Sequence, residues 1–171
     1  IIFTQGTTDG INLVANAWAL STLKTGDEIL IALSEHHANI VPWQEVCKKT
    51  GAILRVIELN EEGTWQSDWR EKLNHNTRLV SVGWVSNATG VVHPVQEMIT
   101  AAKSIGAKVL IDAAQAVAHF PMEVGKLDCD WLVFSGHKLF GPTGIGVLYG
   151  KYDVLDAMEV YRTGGEMIDK V

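Results

Sequence analysis

Five polar clusters in this 171-residue chain hold side chains that could do chemistry. In Ser135-Gly136-His137-Lys138 a lysine follows the large apolar residues Trp131 to Phe134. An amine at the mouth of such a site is partly desolvated, and desolvation lowers its pKa towards nucleophilic use. Most lysines after a strand are surface charges. Here Gly136 before it, and Gly141, Pro142, Gly144 and Gly146 after it, let the backbone pass close to a ligand. Asp112 ends the apolar run Val109-Leu110-Ile111, where a carboxylate is costly unless a cation or strong donor meets it. A protonated heterocyclic nitrogen would serve, and a helix N-cap aspartate is the equally ordinary alternative. Gly6-Thr7-Thr8 joins a strand to a helix, a geometry that suits a phosphate, although taken alone it reads as a plain Thr N-cap. Ser86-Asn87 completes the set with Ser34-Glu35-His36-His37.

His36-His37 could suggest a metal, but adjacent rings rarely reach one ion. No His-Glu-x-x-His pattern occurs, and neither Cys47 nor Cys129 has a partner at ligand spacing, so no metal is expected. One of the two histidines fits better lying flat on an aromatic ligand while the other caps the helix that begins near Asn39. His75, His93 and His119 have no comparable setting and read as surface or structural. Nucleotide sites fail as well. Gly141-Pro142-Thr143-Gly144-Ile145-Gly146 runs in the reverse order of the dinucleotide fingerprint and feeds a strand, and no Walker-type Gly-Lys-Ser/Thr is present. The set asks for a cofactor with a phosphate, a basic ring nitrogen and a carbonyl that a lysine can capture. Pyridoxal 5'-phosphate meets all three demands.

The elements that must position these residues alternate between β-branched apolar runs and segments of helical period. Strands are predicted at Ile1–Thr4, Glu28–Leu33, Ile53–Leu59, Arg78–Val85, Ala107–Ile111, Trp131–Phe134 and Gly146–Tyr149. Helices are predicted at Gly10–Leu23, Ile40–Thr50, Asp68–Leu73, Pro94–Ile105 and Lys151–Met158. Several strands are apolar on both sides, as a sheet buried between helix layers requires. The expectation is an α/β fold, a three-layer α/β/α sandwich around a mostly parallel, mixed sheet, with residues 1–171 as one domain. In such sheets function sits where strands end, and each polar cluster follows a strand.

Composition narrows the classes. Lys and Arg total 14 against 20 Asp and Glu, a net charge of −6, so a nucleic-acid module is not expected. No apolar run approaches the roughly 18–20 residues of a membrane span. Two cysteines make no disulfide framework, which reads as intracellular.

Taken together, Gly6-Thr7-Thr8-Asp9-Gly10-Ile11-Asn12, Glu35-His36-His37-Ala38-Asn39 with Pro42-Trp43, Asp112-Ala113-Ala114-Gln115 and Ser135 through Gly144 resemble the cysteine desulfurases. The closer resemblance is to the group II, Suf-type cysteine desulfurase/selenocysteine lyase branch of the fold-type I, class V aminotransferase-like enzymes. It covers essentially the whole chain, with the motifs in family order. The resemblance implies that Lys138 forms the internal Schiff base with pyridoxal phosphate, that Asp112 keeps the pyridine nitrogen protonated, and that Gln115 bonds the ring hydroxyl oxygen. It implies that His36 stacks on the ring and that Thr8, Ser135 and His137, with Thr7 beside them, bind the phosphate. Asn87 would stand near the substrate side.

The implied reaction takes sulfur from L-cysteine, or selenium from L-selenocysteine, and leaves alanine. The sulfur becomes an enzyme-bound persulfide for iron–sulfur cluster or sulfur-cofactor assembly. A cytoplasmic homodimer with a small sulfur-acceptor protein as partner is implied too. Members of the family are longer, so residues 1–171 are expected to be the large, cofactor-binding domain truncated at both ends, lacking the sulfur-accepting Cys and inactive alone. The terminal run from Arg162 to Val171 would fray. Cys47, in a helical stretch, and Cys129, between Asp128 and Asp130, read as packing residues. Asp9, Ala113 and Phe140 stand where the family often has Glu, Gly and Tyr. The alternatives are another class V enzyme, or a non-catalytic binding or dimerisation domain that retains the fold.

Overall fold

A computed structural model describes residues 1–165; of the run from Arg162 to Val171, residues 166 onward lie outside those described. Seven strands form one sheet in the order β1-β7-β6-β5-β4-β2-β3. They are β1 (Ile2–Thr4), β2 (Glu28–Ala32), β3 (Ile53–Ile57), β4 (Thr77–Gly83), β5 (Lys108–Asp112), β6 (Trp131–Ser135) and β7 (Gly146–Gly150). Neighbours pair in parallel from β3 across to β6, whereas β7 runs antiparallel to both β6 and β1. The carboxyl ends of β1, β2, β4, β5 and β6 therefore share one edge of the sheet. The architecture is the predicted mixed α/β sandwich.

The two-sided apolar strands are explained by two separate cores. Ile29, Ile31, Leu79, Leu110 and Val133 face one helix layer, built from α1 (Thr7–Val14), α2 (Leu20–Thr22), α3 (Val41–Thr50) and α6 (Tyr152–Asp156). Leu30, Ala32, Val80, Val82, Val109 and Ile111 face the other, built from α4 (Val95–Ser104), α5 (Val124–Leu127) and a 3-10 turn at Trp69–Lys72. Burying each large side chain stabilises the fold by about 1.5–3 kcal/mol, so alternate residues anchor opposite layers.

Several boundaries differ from expectation for tertiary reasons. The first helix begins at Thr7, three positions ahead of the predicted Gly10, because its first amide finds a partner outside the helix and Asp9 in its first turn holds the segment before it. Ser135 Oγ accepts from Thr7 N at 2.8 Å, and Asp9 Oδ2 accepts from Gln5 N at 3.0 Å. The helix then widens into a π segment, Ala15–Ala19, before α2. There Trp18 meets Trp131 edge to face, with centroids 5.1 Å apart. α3 stops at Gly51, whose φ of 77° supplies the left-handed C-cap. Predicted Asp68–Leu73 shrinks to the 3-10 turn, and α5 carries too short an apolar pattern to be read in advance.

Gly146 is where three strands come closest. A Cβ there would lie 2.5 Å from Gly6 Cα and 2.7 Å from the Phe134 carbonyl oxygen, both main-chain atoms. Gly146→Ala is expected to destabilise the protein by about 1–3 kcal/mol through forced backbone shifts. Gly125→Ala in α5, where nothing lies within 4 Å, is expected to be neutral or slightly stabilising. Denaturant unfolding of the two variants checks the contrast.

Candidate active site

The common edge of the sheet holds a cleft of about 220 Å³ into which the loops after β1, β2, β4, β5 and β6 converge. All nine residues singled out in the sequence line it: Thr7, Thr8, His36, Asn87, Asp112, Gln115, Ser135, His137 and Lys138. The parallel strands bring this about, since each polar cluster leaves its strand in the same direction.

One end of the cleft is the start of α1. Thr7 is the first residue of that helix rather than its cap; Gly6 holds the N-cap position without a side-chain bond. Thr7 Oγ1 lies 2.7 Å from Ser135 Oγ, and Thr7 N donates to the same oxygen. Thr7 is thereby the tie between helix and β6, which leaves the exposed Thr8 and His137 as the more open lining. Free N–H groups and the dipole of the helix favour an anion here.

At the other end Asp112 is the last residue of β5 and is 8% exposed. Its Oδ1 accepts from Ala114 N at 2.8 Å, and Oδ2 has no hydrogen-bond partner among the described residues. The helix-cap reading is not met, since Gln115 holds the N-cap position of the 3-10 turn Ala116–Ala118; the Asp112 carboxyl closes a shorter local turn and keeps one oxygen open. Burial pushes its pKa above the usual carboxylate range, against the Ala114 amide and the charges of Lys138 and His36. A cation seated here would reverse that penalty.

Lys138 is half-buried on the 3-10 turn Gly136–Leu139, which closes with Gly141 N donating to Gly136 O at 2.9 Å. Phe140 ends this turn with φ 59° and its ring 94% exposed. Asn87 sits on a loop shaped by Ser86, whose Oγ accepts from the amides of Ala88 and Thr89. His36 takes the capping role expected of one histidine of the pair, although what it caps is the 3-10 turn ahead of α3. It lines the cleft, and its Nδ1 accepts from Ala38 N at 3.1 Å, capping the 3-10 turn His37–Asn39. With Nδ1 engaged as an acceptor, the neutral ring carries its proton on Nε2.

Two ionisable lining residues carried no predicted role. His93, read as surface or structural, is 3% exposed and stacks on Trp65 with centroids 4.8 Å apart. Its Nε2 lies 3.0 Å from Ser34 Oγ at the wall of the cleft, and burial lowers its pKa. Glu35 is buried beside Asp112, and its oxygens accept from Gly83 N at 2.9 Å and Asn39 Nδ2 at 2.7 Å. Desolvation pushes Glu35 up to about 8, although both donors hold it down. The signal for Glu35 was its place at a strand end. Its partners come from elsewhere in the chain.

An ordinary Glu releases its proton near 4.5, so between about 4.5 and 8 the fold holds a proton at Glu35 that the unfolded chain has lost. The corresponding stability is present at low pH and lost as pH rises through that window. The calorimetric unfolding midpoint of the ligand-free protein is expected to fall from about pH 5 to about pH 8, with a shallower fall in Glu35→Gln.

Comparison with known proteins places this geometry. The Aminotransferase class-V family matches residues 1–171. A cysteine desulfurase of Enterobacter sp. (strain 638) is 54% identical over the whole chain, which spans 42% of that protein. Among solved structures, the Escherichia coli cysteine desulfurase CsdA in its S-sulfonic acid form superimposes with a TM-score of 0.95 at 44% identity, over 99% of this chain and 43% of CsdA. A mutant of C-DES with glycine covalently linked to its PLP cofactor gives a TM-score of 0.81 at 29% identity, over 92% of this chain and 42% of C-DES. The chain thus spans about two fifths of the length of these relatives. With its sheet, its strand-end cleft and its full-length match in agreement, the chain belongs to the aminotransferase class-V family.

Proposed function

We propose that the cleft binds pyridoxal 5'-phosphate and that the protein is a cysteine desulfurase acting on L-cysteine or L-selenocysteine. The observation that carries this is the meeting of Lys138, Asp112 and the Thr7–Ser135 helix start in one cleft. The donor set fits the cofactor's three demands. Amides and hydroxyls at the helix start would hold its phosphate, the buried Asp112 carboxyl with an oxygen open would meet its ring nitrogen, and the half-buried Lys138 amine would capture its aldehyde. The C-DES relative, with its covalently linked PLP, supports the same reading.

When bound, pyridoxal phosphate supplies an electron sink conjugated to the substrate's Cα. The chain's residues supply the rest. Thr8, His137, Ser135 and Thr7 would hold the phosphate and fix the register of the ring. Asp112 Oδ2 would keep a proton on the ring nitrogen. His36 would cover one ring face, with Gln115 at the ring hydroxyl and Asn87 on the substrate side. Lys138 Nζ would anchor the group and, once displaced by the substrate amine, move protons on the substrate carbons.

Sulfur leaves by transfer to an acceptor thiol: a thiol R–SH and cysteine give the persulfide R–S–SH and alanine. Neither described cysteine suits that role. Burial and neighbouring Asp130 push the Cys129 thiol up to about 12, and burial raises the half-buried Cys47. The accepting thiol would come from a part of the protein beyond residues 1–171. We further propose that these residues are the large domain of the whole enzyme, that it works as a cytoplasmic homodimer, and that a small protein accepts its sulfur. No described helix is long and apolar enough to cross a membrane.

Adding pyridoxal phosphate to the purified protein is expected to produce a visible absorbance band that survives dialysis and is absent in Lys138→Ala. No band in either protein overturns the cofactor assignment. In the whole enzyme, which supplies the accepting thiol, Asp112→Asn is expected to keep the anchoring lysine yet lower alanine formation from cysteine about 10- to 100-fold, as loss of one charged hydrogen bond implies.

A further inference from the structure

The turn that carries His36 over the cleft is tied to the sheet at both ends by one buried network. Glu35 accepts from Gly83 N through Oε1 and from Asn39 Nδ2 through Oε2. Asn39, fully buried, accepts through Oδ1 from Trp43 Nε1 at 2.9 Å and from Ser81 Oγ at 2.5 Å. An indole N–H only donates, so the Asn39 carbonyl must face Trp43 and its amide nitrogen must face Glu35. The Gly83 amide also only donates. Position 35 therefore has to offer acceptors in two directions. A carboxyl does this whether or not it carries a proton; a Gln side chain, with one acceptor and one donor, does not.

The space for this carboxyl depends on Gly83. A Cβ at that position would stand 3.3 Å from Glu35 Oε2, so the carboxyl fills the place of a side chain there. Gly83 lies directly across from Asp112 in the β4–β5 register. One residue thus links the base of the His36 turn to the strand that ends in Asp112.

We propose that Glu35 is a positioning residue: through Asn39 and the Gly83 amide it fixes the His36 imidazole over the cleft, so that its effect on ligand binding passes through His36. This rests on the reading of the cleft as a pyridoxal phosphate site. The test measures pyridoxal phosphate affinity, together with the circular dichroism of the bound cofactor's visible band, in the wild type, Glu35→Gln, His36→Ala and the double variant. Glu35→Gln is expected to keep the band, because Lys138 is intact. It should weaken affinity about tenfold, reduce the dichroism, and have no further effect once His36 is gone. A merely structural role would instead add its loss to that of His36→Ala. Additive losses, or wild-type affinity in Glu35→Gln, overturn the proposal. Should Glu35→Gln not fold, Gly83→Ala, which crowds Oε2 while leaving both donors, is put through the same cycle with the same expectations. A wild type without a Lys138-dependent band removes the cofactor reading itself, and this is seen before any Glu35 variant is measured.

Discussion

Asp112 sets the terms for everything around it. It closes a strand buried on both faces, and a carboxylate so placed costs several kcal/mol unless something meets it. The Ala114 amide meets one oxygen, the other has no hydrogen-bond partner among the described residues, and Lys138 and His36 act on the carboxyl as charges across the cleft that all three line. The sheet has to be parallel across β4, β5 and β6 for these groups to share an edge, and it has to be covered on both sides to keep water from the carboxyl. The two helix layers, the apolar strands and the gathered loops are conditions for one buried acid to be useful.

The antiparallel β7 belongs to the same logic. It starts at the edge where the other strands end, so Gly146 lies level with Ser135 and Thr4. The absence of a side chain at Gly146 lets β1 and β6 close upon it, and that closeness brings Thr7 to Ser135. An anion site at one end of the cleft and a cation site at the other are thus built by different devices. One is tight main-chain packing, and the other is desolvation of a single carboxyl.

Much of this was legible in the sequence. Both-sided apolar runs such as Val109-Leu110-Ile111 declared buried strands, and the polar clusters after them declared where the site would lie. All nine candidate residues stand in the cleft, because each stands at or after the carboxyl end of a strand and the strands of this sheet bring those ends to one edge. What could not be read depends mostly on groups far apart in the chain. The start of α1 at Thr7 is tied to Ser135, and the setting of Glu35 joins the near residues Asn39 and Trp43 to the distant Gly83 and Ser81. His93 looked ordinary because Trp65 and Ser34, which bury and bond it, are not its sequence neighbours. Which of the two adjacent imidazoles caps the turn was not legible either, because His36 reaches the Ala38 amide only through the fold of the 3-10 turn.

The tie between Thr7 and Ser135 spans 128 positions, and among the described residues β1 pairs with β7 alone. During synthesis β1 cannot make this pairing until β7, the last of the described strands, has emerged. Contacts so distant in sequence close late, after the loop entropy between them has been overcome. The Thr7–Ser135 end of the cleft therefore depends on one of the longest-range closures in the fold. A ligand that needs this end could bind only after that closure, and until then β1 presents an unpaired strand edge.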